Sequence, residues 1–273
     1  MILLKKIFSF YINSSIHVAL AVCAFAMITS IEFDFENSFF ILCFIFFGTI
    51  TGYSFIKYIP LFAFPHRIAK SNHKLFQGLI VLVAIVTLMC LFWLEIRVQV
   101  VALLLSLLTL LYAIPFLKNK SLRHLNGLKI FIVALVWSGV TVIIPFFNEF
   151  NELTDDLIVT FIQRFLMVLA LILPFEIRDL SVDATYLRTL PQRVGVLPTK
   201  GVGVLIIGVC FLLEFMKDEI NIHVMFSFGI ILIFLLILLL FSQKKQSKYY
   251  ASFWVESIPI VWWVMILLFE RFI

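Results

Sequence analysis

The sequence predicts an all-α polytopic membrane protein, with about nine transmembrane helices bundled around a membrane-embedded cavity. Three observations lead there. Hydrophobic residues fill 63% of the 273 positions and charged residues only 14%, and a soluble domain has too little interior to hide that much apolar surface. The apolar residues come in continuous runs close to the ~20 residues that cross a bilayer, without the period-two alternation of barrel strands. The loops between the runs alternate in charge.

Taken in order, the runs place spans at 14–31, 37–56, 74–95, 98–117, 127–147, 157–175, 201–216, 222–241 and 252–269, the first and seventh being the shortest. Lys5 and Lys6 precede an apolar segment, as in a secretory signal. The polar YINSS interruption at 11–15 and the many spans that follow favour a retained first helix. Pro191 and Pro198 are expected to stop helices, and Gly195 and Gly201 to permit a turn between them. No polar stretch is long enough for a separate soluble domain, so residues 1–273 are expected to form one integral membrane domain.

The charges orient this arrangement. Seventeen of the 21 lysines and arginines fall in alternate loops on the side of the N-terminus; Arg97, Lys217 and Arg271 fall on the other side, and Arg164 falls inside a span. The positive-inside bias places the N-terminus in the cytoplasm and the C-terminus outside, in a multi-pass protein of the cell inner membrane. The net charge of +5 then reflects topology and anionic lipid headgroups, not nucleic-acid binding, which lacks a soluble module to carry it. Arg164 is expected to snorkel toward Asp155 and Asp156 at the outer surface. Cys23, Cys43, Cys90 and Cys210 all lie in apolar spans without metal-type spacing and read as small buried hydrophobes. The five histidines are scattered over both sides, and no pair has helical metal spacing. There is no phosphate-cradling glycine loop and no nucleophile elbow.

Most acids fall on the outer side, and Glu176, Asp179 and Asp183 break the pattern. They follow the sixth span at spacings of three and four, which puts them on one helix face over roughly 10 Å of rise. Three carboxylates on one face suit a hard divalent cation such as Mg²⁺, which binds oxygen ligands and is often shared with substrate phosphates. The same acids can also be read as a solvated helix end neutralised by Arg178, Arg188 and Arg193. Downstream stands the TLPQRVG stretch, 189–195, and upstream a segment from Tyr112 to Pro145 that holds Tyr112, Lys118, Lys120, Arg123, Gly127, Lys129 and Trp137.

These stretches resemble the UbiA superfamily of intramembrane prenyltransferases. The resemblance implies nine helices around a cavity open to the membrane. It also implies an Asp-rich motif D-x-x-D-x-x-x-D after the sixth helix, present here as Glu176, Asp179 and Asp183. Those three would hold Mg²⁺, with Asp179 and Asp183 as the catalytic pair. Lys57, Lys118, Arg123, Arg178 and Tyr112 would bind a prenyl diphosphate, and a lipophilic, possibly quinone-type, acceptor would take the isoprenyl group. The chain departs from the family at its first Asp-rich motif: the matching place, 48–62, holds no acid, and no Asp or Glu occurs between Glu36 and Glu95. Lys57 stands in that region instead and can meet phosphate directly. Two other readings follow from the departure: a non-catalytic protein of the same fold that binds a prenylated lipid or a partner, and a small transporter.

Overall fold

The computed structural model describes residues 2–63, 73–114, 122, 127–180 and 187–272, the side chains of 2–3, 58–63, 73–77 and 272 excepted. Everything regular among the described residues is helical. The helices are α1 (Ile2–Asn13), α2 (Ile16–Glu32), α3 (Phe39–Ala63), α4 (His73–Phe92), α5 (Ile96–Ala113), α6 (Leu128–Ser138), α7 (Ile144–Glu149), α8 (Asp155–Asp179), α9 (Leu190–Val194), α10 (Val196–Leu213), α11 (Ile222–Phe241) and α12 (Ile258–Phe272). Seven described segments are long and apolar enough to cross a bilayer. The α1–α2 pair, bent by 57°, makes a further broken span, and α4 adds a shorter apolar stretch, Gly78–Phe92. Each of the nine expected spans therefore meets a helix, and the protein is an all-α polytopic membrane protein.

Local chemistry explains the boundaries. The polar interruption at 11–15 becomes the elbow between α1 and α2, where Ser15 adopts a left-handed φ of 64°. The fifth expected span is one rod in three parts, α6, a π-helical stretch Gly139–Ile143, and α7. Pro145 lacks an N–H and cannot close the ladder onto the carbonyl four residues back; that carbonyl, of Thr141, accepts from Thr29 Oγ1 instead at 2.8 Å. The expected helix-stopping role of the prolines is corrected. Pro191 and Pro198 sit in the first turns of α9 and α10, where a missing N–H leaves no helical bond unmade. The seventh span accordingly starts at Val196 rather than at 201.

In lipid, helices associate through close packing and hydrogen bonds rather than by escaping water. Helix α2 shows this: Ala19, Ala21, Ala24 and Ala26 are all buried, so neighbours approach it from every side. It packs on α3, α12 and the π stretch, while α8 packs on α6, α10 and α11. The resulting core has two main bodies and a small third one of Val142, Phe146 and Leu157. The larger surrounds α8 with Phe25, Ile177, Phe228 and Trp262 among its members. The smaller gathers Val22, Ile41, Phe44, Ile45, Ala102 and Ile144 between α2, α3, α5 and α7.

Arg164 is also corrected. It does not snorkel: its side chain is 2% exposed. It donates to the Phe25 carbonyl at 3.1 Å, pairs with Glu32 at 3.2 Å, and lies over the Phe25 and Trp262 rings at 4.4 and 5.2 Å. Glu32 also meets Lys217 at 3.3 Å, and Lys217 meets Glu214 at 2.9 Å. Gln163 closes the set by donating to Glu214 at 2.8 Å. Two cations and two anions thus balance inside one end of the bundle. The nearby outer acid Asp156 caps the backbone N–H groups of Asp218 and Glu219 instead.

Candidate active site

The other end of the bundle is built from the last turn of α8, the first turn of α6, the end of α3, the α1–α2 elbow and the π-helical turn Tyr250–Val255 ahead of α12. Carboxylates at a helix C-terminus and a lysine at a helix N-terminus both sit against the helix dipole. This site carries both. Glu176 and Asp179 close α8, and Lys129 opens α6. The end of α8 therefore attracts a cation and the start of α6 an anion. In the structure the two answer each other, with Lys129 Nζ 2.9 Å from Glu176 Oε1; Glu176 is 2% exposed and Lys129 21%. Asp179 is held by its neighbour Arg178 through two bonds of 2.7 and 3.0 Å, and Arg178 Nη1 donates to Ser252 at 3.2 Å. Arg178 also lies over the Phe175 ring, 5.1 Å from its centroid.

Two carboxylates three residues apart on one helix are donors of the kind a hard cation takes; each is balanced by a basic side chain within 3 Å, and no group of three or more metal-type side chains gathers among the described residues. Asp183, Lys118 and Arg123 lie outside the described residues. Lys57 ends a turn of α3 and donates to the Asn13 carbonyl at 2.9 Å, so it ties α3 to the α1–α2 elbow on the same end. The TLP stretch folds back here: Gln192 Oε1 accepts from the Thr189 N–H at 3.0 Å, and Gly195 turns the chain into α10 at φ 89°. Gly127, at φ 74°, donates to the Leu187 carbonyl, which joins the loop after α8 to the start of α6.

A cavity of about 470 Å³ is lined mainly by α3, α4, α5 and α6, with Val22 of α2 and Ile144 of α7. Tyr112 lines it and is buried. So do Tyr53 and Trp137, whose indole N–H donates to the Tyr53 hydroxyl at 3.1 Å. Tyr53 lies one turn before Lys57 on α3, which sets this aromatic group at the charged end of the cavity. Helix α4 packs on α3, and α5 on α6 and α7. Leu88 of α4 and Leu110 of α5 both line the cavity and are both exposed, at 56% and 40%. The cavity is thus open sideways, toward the surface that faces lipid.

Two groups at this end escaped the sequence reading. Lys129 counted only as a topology-setting charge, although a lysine in the first turn of a helix, against the dipole, signals a partner. Glu256 fell inside the ninth expected span. It directly follows the π turn Tyr250–Val255, whose Ser252 accepts from Arg178, and so lies at the same end. It forms no ion pair among the described residues. The signal was available, since a carboxylate inside an apolar span points to a functional site. Beside it, buried His17 faces the Tyr11 hydroxyl at 2.7 Å and the Phe253 carbonyl at 3.1 Å. The carbonyl can only accept, so Nε2 carries the proton, and Nδ1 accepts from Tyr11.

The whole chain superimposes on a solved structure of a digeranylgeranylglyceryl phosphate synthase, a protein studied in the context of biosynthesis in membranes. The TM-score is 0.59 over 98% of each chain, at 15% sequence identity. That likeness establishes a shared fold. No protein-family model matches the chain, and no curated protein matches it in sequence.

Proposed function

We propose that this protein is a Mg²⁺-dependent prenyltransferase, which moves an isoprenyl group from a prenyl diphosphate to a lipophilic acceptor within the membrane. The observation that carries the proposal is the juxtaposition of an apolar cavity, open toward lipid, with an end where a cation-seeking helix C-terminus faces an anion-seeking helix N-terminus. A metal-bound diphosphate with a hydrocarbon tail presents those same three features: cation, anion and apolar chain. The shared fold with a digeranylgeranylglyceryl phosphate synthase supports the same class of reaction.

In this proposal Glu176, Asp179 and Asp183 would hold the cation, which when bound would supply charge neutralisation of the diphosphate as a leaving group. Lys129, released from Glu176, and Arg178, released from Asp179, turn to the phosphate oxygens together with Lys57, Lys118 and Arg123. Lysines at such a site act as point charges and arginine as a fork. The bond between the first carbon of the chain and the diphosphate oxygen breaks. The resulting allylic cation sits among Tyr53, Tyr112 and Trp137, whose ring faces favour positive charge. An electron pair of the acceptor then forms the new bond, and the acceptor loses a proton, which a carboxylate at this end of the bundle such as Glu256 would receive. The acceptor enters between α4 and α5. With the positive-inside orientation, the charged end faces the cytoplasm, where water-soluble diphosphate products can leave.

The test is release of inorganic diphosphate from a radiolabelled allylic prenyl diphosphate by purified protein in lipid nanodiscs, with and without Mg²⁺. Magnesium-dependent release that falls at least a hundredfold in Asp179→Asn is expected. Release that is equal without Mg²⁺, or unaltered in the variant, would refute the assignment.

A second reading is favoured by one observation: both described acids are already closed on basic side chains, and α3 supplies no acids opposite them. A protein that keeps the fold to bind a prenylated lipid, without turnover, would look the same. Tight binding of a prenyl diphosphate with no bond cleavage is the outcome that would select it.

A further inference from the structure

The cavity's wall and floor carry information about what fills it. Its threonines do not offer their protons to an occupant. Thr49, Thr51, Thr87 and Thr109 each donate to the carbonyl four residues back in their own helix, at 2.7 to 2.9 Å. Hydroxyls so turned leave a mainly apolar surface, broken by Ser106 and by Tyr53, Tyr112 and Trp137. The far end is closed. Val22, Phe44, Ile45, Ala102 and Ile144 line the cavity and also belong to the smaller core cluster, each no more than 8% exposed. Along α3 the lining runs from Phe44 to Ile56, about 18 Å at 1.5 Å per residue.

We propose that this core floor is a ruler for the hydrocarbon chain, selecting a prenyl diphosphate of three to four isoprene units. The inference rests on the prenyl-diphosphate reading above and adds the length of the chain and the residues that set it. At roughly 30 Å³ per heavy atom, the volume a water takes in the liquid, the 470 Å³ cavity holds about 16 heavy atoms. That lies between a 15-carbon and a 20-carbon chain. A 10-carbon chain leaves a void, which a packed interior penalises. A chain of 45 carbons meets the floor and must fold back toward the side opening, which the acceptor needs. Phe44 is the floor residue with the largest side chain, and Ala102 is the smallest. Trimming Phe44 deepens the cavity, and enlarging Ala102 raises its floor. Replacing Ala102 by Leu adds three carbons, more than half of one five-carbon isoprene unit.

The test measures binding of non-hydrolysable thiolo-diphosphates with 10-, 15-, 20- and 45-carbon chains, with Mg²⁺, to the full chain in nanodiscs. Wild-type protein is expected to favour the 15- and 20-carbon chains over both others by at least about tenfold. Phe44→Leu shifts the optimum one unit longer, and Ala102→Leu one unit shorter. Phe44→Ala enlarges the shift; should it fail to fold, the wild-type length series and Phe44→Leu still decide. Binding without length preference, or a preference that neither floor variant moves, would overturn the ruler and leave the prenyl reading standing. Binding of no chain at any length, or a co-purified phospholipid that none of the chains displaces, would remove the prenyl reading and the ruler with it.

Discussion

The two ends of the bundle use the same kinds of charge to opposite effect. At one end Arg164, Glu32, Lys217 and Glu214 form a closed set in which each side chain is at most 6% exposed and a glutamine and two rings fill the gaps. At the other, Glu176 is buried but its partner Lys129 is 21% exposed, and the Arg178–Asp179 pair is about a third exposed. The closed set joins α2, α8 and the loop after α10, elements far apart in sequence, and it is read as a staple. The open set joins three charges that oppose their own helix dipole, Glu176, Asp179 and Lys129, to Arg178, which does not, beside a cavity, and it is read as a site. Burial and completeness distinguish the two; the number of ion pairs does not.

Four expectations sharpen the contrast. The largest effect belongs to the staple. Arg164→Ala leaves Glu32 inside with one partner fewer, and removing one member of a buried pair costs about 3–5 kcal/mol. The expected result is a large loss of thermal stability in detergent; a variant that melts like wild type would contradict the staple.

The second effect is a pH dependence of the same set. Burial acts to lower the Lys217 pKa, but the charges of Glu32 and Glu214 outweigh it and raise the pKa above the ordinary 10.5. A raised folded value means that the protonated form carries the stabilisation. That stabilisation is complete below the ordinary lysine value and is lost as pH rises through the folded one. Melting temperatures across the alkaline range should show this step in wild type and lack it in Lys217→Met.

Third comes the hinge between staple and site. Glu176→Gln removes a buried carboxylate whose partner can reach water, with an expected loss of about 1–3 kcal/mol and a weaker effect of Mg²⁺ on ligand binding. The smallest effect on folding belongs to the exposed acid. Asp179→Ala should change stability by under about 1 kcal/mol, as partly exposed pairs do, while it removes most of the function. If Asp179→Ala unfolds the protein, or if Glu176→Gln leaves ligand binding intact, the distinction between the two ends fails.

Much of the fold was legible because the bilayer enforces it. Runs such as 222–241 have no alternative to a buried helix, and the elbow at 11–15 announced itself by polarity. The pieces that misled were those where one residue's role depends on distant partners. Arg164 looked able to reach Asp155 and Asp156 along its own helix, yet Phe25, Glu32 and Trp262, which capture it, are remote in sequence. Pro191 and Pro198 were read as terminators because proline breaks helix interiors, although it starts helices as readily. In the candidate site, the acid spacing placed Glu176 and Asp179 at one helix end, where the structure has them; the role given to them is the proposal. Glu256 was missed although a carboxylate inside an apolar span is itself a signal; the π turn Tyr250–Val255 just before it brings it to the charged end.

The measurement that tests the site most directly is equilibrium binding of a non-hydrolysable 20-carbon prenyl thiolo-diphosphate to the full chain, with and without Mg²⁺, beside Asp179→Ala of matched stability. Binding that Mg²⁺ strengthens at least tenfold, with that gain absent in Asp179→Ala, is expected if the end of α8 holds a cation for a diphosphate. Binding unchanged by Mg²⁺ and by the substitution would contradict it, and would leave Glu176 and Asp179 as a solvated helix end closed by Lys129 and Arg178.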